Sequence, residues 1–423
     1  MNAIHPEGRP ARSRPLAGPI LSLLALAAML AACTPPQLPT DGSRPEARRA
    51  ASLGPSATRE AAAAATHAAA TGEAAAVGTE ARAADAGARV TASDAERDAA
   101  DLADAGPIAR VAAEDGGLVP VTLMLDWVPN TNHTGIFVAQ ARGYFEAAGL
   151  DLEIVQPGEV YADQAVAGGA ADFGISYQEA LTLARSMDLP LVSVAAIVQH
   201  NSSAFASRAE LGARSAADYT GLRYGSFGTP FELPTLAALM DCAGALPEAI
   251  DSVESVNAGL SDPLALLSED RIDLAWIFLG WQGIQAEREG IALDLLPLEA
   301  QRDCIPDYYT PILMTREQTI DERPELVAAL VGAVSRGYRF AIERPLEAAE
   351  LLLEAAPELD RGLVIDSQTW LSPRYQADAS RWGEQRLDVW DAYGDWMAAQ
   401  GIMPAPIDAR SAFSNAFLPG EGG

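Results

Sequence analysis

The chain has 423 residues, with 58 acidic side chains against 29 basic ones, every one of the latter arginine, and a formal net charge of −29. Without lysine it can form no lysine Schiff base and complete no Walker A loop. An acidity this strong, with no cationic segment beyond the extreme N-terminus, argues against nucleic acid as a partner.

Arg9, Arg12 and Arg14 precede an uncharged apolar run over residues 20–32. That run is about half the ~20 residues a membrane span needs, so it reads as a secretory leader and not as an anchor helix. It ends in Leu30-Ala31-Ala32-Cys33, the pattern of a bacterial lipobox, in which Cys33 takes the lipid and becomes the first mature residue. Two acyl chains would hold the protein to a membrane surface. Residues 34–118 are Ala, Gly, Glu, Asp, Arg and Ser with almost no large apolar side chain. Such a stretch cannot bury enough surface to offset the entropy of ordering, and reads as a tether reaching on the order of 50 Å.

From residue 119 strand and helix patterns alternate. Strands are expected over 121–125, 152–155, 171–175, 191–198, 222–226, 252–256, 274–278, 293–296 and 309–314. Helices are expected over 135–148, 177–187, 231–243, 263–268, 281–289, 324–343 and 380–400. Such alternation implies parallel sheets with helices on their faces and a ligand outside the strand C-termini. About 300 residues is large for one sheet domain, so two α/β lobes follow. Cys242 and Cys304 can pair or stay as buried thiols; export permits the disulfide. No zinc spacing occurs, and no metal or other cofactor is expected.

Two loops carry candidate chemistry. After the first strand comes Asp126-Trp127-Val128-Pro129-Asn130-Thr131-Asn132-His133. Trp127 could stack on a planar ligand while Asn130 and His133 bond its edge; equally, Trp127 could be core and the Asn and Thr residues turn and cap. The second loop is Gly225-Ser226-Phe227-Gly228-Thr229-Pro230-Phe231-Glu232. Its Thr229-x-x-Glu232 spacing, with Pro230 at the helix start, accounts for Glu232 as a cap. Alternatively Gly225 and Gly228 bring backbone N–H groups to the ligand, Ser226 and Thr229 contact it beside them, and Glu232 accepts hydrogen bonds from an amino-heterocycle. Ser176, Tyr177 and Trp281 follow other strands and could line the same cleft, core packing being the rival account of Trp281.

The stretch 125–135, with Ala141-Arg142-Gly143-Tyr144-Phe145 and Gly169-Ala170-Ala171-Asp172-Phe173-Gly174, resembles one family. It comprises periplasmic solute-binding proteins for thiamine pyrimidine precursors and their relatives, including hydroxymethylpyrimidine phosphate synthases. The resemblance runs from about residue 121 to the 390s. It implies a type II periplasmic-binding fold, two α/β lobes closing on a ligand, with interlobe crossings near 207–213 and 303–310 and hence a first lobe over 119–210 plus 309–423 and a second over 211–308. It also implies ligand contacts at Trp127 and in the 225–232 loop. The synthase branch uses a lysine-bound cofactor, its own histidine and a cysteine-rich segment. Those positions are Ser176, Ala180 and residues 305–309 here, so synthase activity is not implied.

The expectation is therefore an exported, lipid-anchored binding protein, periplasmic or at the cell surface, that feeds an ABC permease and its ATPase. Its small-molecule ligand is a thiamine-type aminopyrimidine, with Asp126 or Glu232 meeting the amino group. Riboflavin, or a sulfonate in the same fold, is the alternative within the class. From another class the rival is an exported pyrimidine-acting enzyme with His133 as general base.

Overall fold

The computed structural model describes residues 109–158 and 160–420. The leader, Cys33 and the tether up to residue 108 lie outside the described residues. The chain enters the fold before the expected boundary at 118, since the Val111 N–H donates to the Ala148 carbonyl at 3.0 Å and its side chain packs on the first core.

In chain order the first lobe has β1 (Val119–Met124), α1 (Thr134–Ala141), α2 (Tyr144–Ala147), β2 (Leu150–Val155), α3 (Ala162–Gly168), β3 (Phe173–Ser176), α4 (Gln178–Ser186) and β4 (Leu191–Ala196). The second has β5 (Ser203–Arg208), β6 (Arg223–Ser226), α5 (Glu232–Cys242), β7 (Glu254–Asn257), α6 (Pro263–Ser268), β8 (Leu274–Phe278), α7 (Ile284–Glu289) and β9 (Leu293–Pro297). The chain then returns as β10 (Ile312–Arg316), followed by α8 (Glu317–Glu322), α9 (Pro324–Glu343), α10 (Pro345–Ala355), α11 (Arg361–Leu371), α12 (Leu387–Ala399) and α13 (Ala409–Ala412).

The two sheets share one topology. The first runs β2-β1-β3-β10-β4 and the second β7-β6-β8-β5-β9. In each, three parallel strands are followed by one antiparallel strand that arrives from an interlobe crossing: β10 beside β3, and β5 beside β8. This is the two-lobed type II binding-protein architecture. The C-termini of the parallel strands leave each sheet at the edge where its helix-entry loops gather, the usual place for a site in open α/β sheets.

The first crossing lies between Ala196 and Ser203, upstream of the expected 207–213, because residues 203–208 are a strand of the second sheet. Ser-Ala-Phe-Ala-Ser-Arg has no apolar alternation, so it reads as loop. It is nonetheless central and covered on both faces, Phe205 facing one core, Ala204 and Ala206 the other. The return crossing, between Pro297 and Ile312, contains the expected 303–310.

Two expected helices are shorter. The one over 135–148 breaks at Gly143, whose φ of +67° suits glycine. The one over 380–400 begins at Leu387, because residues 380–386 instead place Trp382 flat against Tyr338, 4.5 Å between ring centroids. Helix α12 also packs across the lobe division, with Tyr393, Trp396 and Met397 in the core of the second sheet. Cys242 and Cys304 form a disulfide tying α5 to the return crossing.

One packing detail positions the loop that follows β1. A Cβ on Gly337 would lie 1.8 Å from the Gly135 carbonyl oxygen, and one on Gly135 would lie 2.3 Å from the Tyr338 ring. The two glycines let α1 and α9 meet at backbone distance. Tyr338 then donates its hydroxyl to the Asn132 carbonyl, and Tyr375 donates to that of Thr131. The loop is thus fixed from beneath by buried phenols.

Candidate functional site

The loop after β1 is organised by its own polar side chains. Asn130 Oδ1 accepts the Asn132 N–H at 2.8 Å, and His133 Nδ1 accepts the Asn130 N–H at 3.3 Å. With Nδ1 an acceptor, the ring proton resides on Nε2, which donates to Asp126 Oδ1 at 2.6 Å. His133 is fully buried and both its nitrogens are engaged. The expected edge contacts from Asn130 and His133 therefore give way to a structural role: Asn130 caps and His133 orients Asp126. The other Asp126 oxygen accepts from Tyr177 Oη at 2.6 Å. Burial pushes the Asp126 carboxyl up, but His133 and the Tyr177 hydroxyl together outweigh it and hold its pKa below the ordinary value.

Trp127 is half-buried against the first core, and its Nε1 donates to the Leu260 carbonyl, 3.0 Å away in the other lobe. The indole spans the cleft with its single donor spent, so it can offer a guest only its ring face. Beside Asp126, the Tyr177 ring lies near-parallel to Phe278 at the end of β8, with centroids 6.2 Å apart and planes inclined by 25°. This is a second contact between lobes.

The loop from Gly225 closes on itself. Glu232, fully buried, accepts from Tyr224 Oη at 2.7 Å and the Phe227 N–H at 3.0 Å on one oxygen. Its other oxygen accepts from the Thr229 N–H and Thr229 Oγ1, each at 2.7 Å, and from Ser226 Oγ at 3.3 Å. The Gly228 N–H donates to Ser226 Oγ at 2.9 Å. Glycine-containing turns entering a helix gather N–H groups around an anion; here that anion is the chain's own carboxylate. Of the two accounts of Glu232, the geometry favours the cap, and Thr229 and Ser226 are committed with it. Gly228, at φ +92° with open space where a Cβ would stand, turns the chain at the loop's exposed tip.

Trp281 is buried in the first core, in line with the packing account. It sits in a π-turn, Leu279–Gly283, whose Gly280 carbonyl accepts from Ser367 Oγ on α11, and a Cβ on Gly280 would meet the Trp370 ring at 2.9 Å. Ser176 is buried and donates to Asp163 Oδ1 at 2.6 Å.

Asp126, Trp127, Tyr177 and Ser176 thus converge at the C-terminal edge of the first sheet, facing Phe278 and Leu260 of the second lobe. Sequence reasoning missed Asp163, Glu179, Phe278 and the Leu260 carbonyl. Asp163 and Glu179 could have been found as acids in the first turns of helices that open at this edge, and Phe278 as an aromatic ending a strand. Nothing in the sequence distinguishes the Leu260 carbonyl. An open groove of 720 Å³ runs along the outer strand β2, lined by Pro120, Asp151, Glu153, Ile154 and Glu358 among others. It lies outside this convergence. Among the described residues no His, Cys, Asp and Glu side chains group as a metal site.

Residues 130–348 match the family described as NMT1/THI5 like. The formylaminopyrimidine-binding protein of Halalkalibacterium halodurans is 30% identical over 72% of this chain and 93% of its own. The riboflavin-binding protein RibY of Chloroflexus aurantiacus is 28% identical over 72% and 87%. The 4-amino-5-hydroxymethyl-2-methylpyrimidine phosphate synthase of Legionella pneumophila is 26% identical over 71% and 92%. Among solved structures, the periplasmic nitrate-binding protein NrtA of Synechocystis PCC 6803 superposes with a TM-score of 0.56 over 73% of this chain and 88% of its own, at 13% identity. The chain belongs to the NMT1/THI5-like family and has the fold of periplasmic binding proteins.

Proposed function

We propose that this family member is an extracytoplasmic solute-binding lipoprotein of an ABC importer and that it captures a thiamine-type aminopyrimidine precursor. Residues 1–33 direct export and Cys33 carries the lipid. The segment between Cys33 and Val111 tethers the two lobes to the membrane, where a permease and its ATPase receive the ligand. The guest lies against the face of Trp127, with Tyr177 beside it and its amino edge toward Asp126.

One observation carries the ligand class: in the 226–229 loop the N–H groups of Phe227 and Thr229 are spent on Glu232 and that of Gly228 on the Ser226 hydroxyl. A sulfonate or nitrate finds no free donor there, whereas a flat heterocycle finds an aromatic face and a carboxylate. The binding function of the H. halodurans relative supports the same class. Riboflavin, a larger flat heterocycle, remains the alternative guest, supported by RibY. An enzyme using His133 as general base is disfavoured, since both of its nitrogens are engaged.

Calorimetry of the full chain with formylated aminomethyl-pyrimidine, thiamine, riboflavin and taurine tests the reading. Heat from the pyrimidine is expected, and Trp127→Ala should weaken it by about 2 kcal/mol, some 30-fold. Binding of taurine with none of any pyrimidine would overturn the proposal, and an unchanged Trp127→Ala affinity would remove the stacking.

A further inference from the structure

Three carboxyl groups gather at the C-terminal edge of the first sheet: Asp126 after β1, Asp163 in the first turn of α3 and Glu179 in the first turn of α4. Asp126 is answered by His133 and Tyr177. Asp163 has the Ser176 hydroxyl at 2.6 Å. Glu179, almost fully buried, keeps one oxygen without any hydrogen-bond partner. Among the described residues neither Asp163 nor Glu179 forms a salt bridge with an arginine. Glu179 is buried and Asp163 half-buried; a buried carboxylate without a counter-charge costs several kcal/mol, and the usual relief is a proton. Burial and the neighbouring Asp126 charge accordingly push Asp163 up to about 6, and burial, with Asp163 beside it, pushes Glu179 up to about 8. The groups facing Asp163 are Asp126, Ser176, Tyr177 and Glu179, none of them cationic. A protein stabilised for its own sake would place an arginine or an apolar side chain here. This edge instead leaves negative charge unanswered next to an aromatic face.

We propose that Asp163 is a ligand-recognition residue and that the guest presents to Asp126 and Asp163 a nitrogen edge that donates hydrogen bonds. An amino group beside a protonated ring nitrogen, as in an aminopyrimidinium, has the required chemistry. The inference rests on the reading of the cleft as a heterocycle site and narrows it to basic, amino-bearing heterocycles, excluding neutral rings of similar shape.

The test is calorimetry of the full chain with 4-amino-5-hydroxymethyl-2-methylpyrimidine and its analogue carrying methyl in place of the 4-amino group. The wild type should prefer the amino compound by at least tenfold. Asp163→Asn should lower affinity for it by tenfold or more and leave the methyl analogue within about threefold, so that the preference collapses. A preference unchanged in Asp163→Asn overturns the proposal. Should Asp163→Asn fail to fold by circular dichroism, the wild-type comparison decides, since equal affinity for the two compounds overturns it alone. Aminopyrimidine binding with an unchanged preference removes this inference and leaves the proposed function standing. Binding of riboflavin or taurine but of neither pyrimidine removes both.

Discussion

Glu232 offers the sharpest test of the cleft chemistry, because a cap and a ligand contact predict opposite patterns. In Glu232→Gln the amide oxygen can keep the three bonds from Thr229 N–H, Thr229 Oγ1 and Ser226 Oγ. The amide nitrogen then faces the Tyr224 hydroxyl, which can rotate to accept, and the Phe227 N–H, which cannot. One stranded N–H costs about 1–3 kcal/mol, and the lost charge on the remaining bonds about 1 kcal/mol more, so a loss of ~3 kcal/mol is expected. Glu232→Ala strands all five donors, the fully buried Tyr224 hydroxyl included, and should lose about 4–5 kcal/mol. Urea denaturation measures the stability and calorimetry the binding. Both variants should be destabilised in that order, with weakened ligand affinity but an unaltered preference for amino over methyl pyrimidine. A Glu232→Gln protein of wild-type stability that no longer binds would refute the cap and make the carboxylate a direct ligand contact.

Other perturbations probe the frame and its charge. Gly135→Ala places a methyl 2.3 Å from the fully buried Tyr338 ring and should cost ~3 kcal/mol, read from the denaturation midpoint. Cys242→Ser opens a loop of 62 residues and should destabilise the protein by about 4 kcal/mol on the chain-entropy account; reductant should do the same to the wild type. Glu179 titrates near 8 when folded and near ~4.3 when unfolded, so between those values the folded state holds the extra proton. Stability should therefore fall as pH rises through that window, by up to about 1.4 kcal/mol per unit. Glu179→Gln should flatten the slope, matching the wild type at about pH 4 and exceeding it at about pH 9; parallel profiles for the two proteins would discard the assignment.

What the sequence exposes and what it hides divide along the range of the interactions involved. The turn residues of 126–134, the Thr-x-x-Glu start of α5 and the glycine that ends α2 are local signals, and they placed the loop at the end of β1 and the helix at Glu232. Helix α9 was legible to its ends, since a twenty-residue apolar stripe opened by a proline is read within a few turns. Strand β5 was not, because Ser-Ala-Phe-Ala-Ser-Arg carries no local strand pattern and only distant segments cover its two faces.

The same division holds at the site. By itself the sequence determined the alternating α/β class, the loops that carry the chemistry, and, through its missing lysine, that these residues form no lysine Schiff base. Tertiary structure decided which of those side chains are spent and which are free. It turned His133 inward onto Asp126, closed the 225–232 loop around Glu232, and sank Trp281 into the core. It also brought Asp163 beside Asp126, and Phe278 and Leu260 across from the first lobe. The physical reason is that a hydrogen-bonding group's availability depends on every neighbour within about 3 Å, and around the loop after β1 those neighbours are up to 244 residues away along the chain.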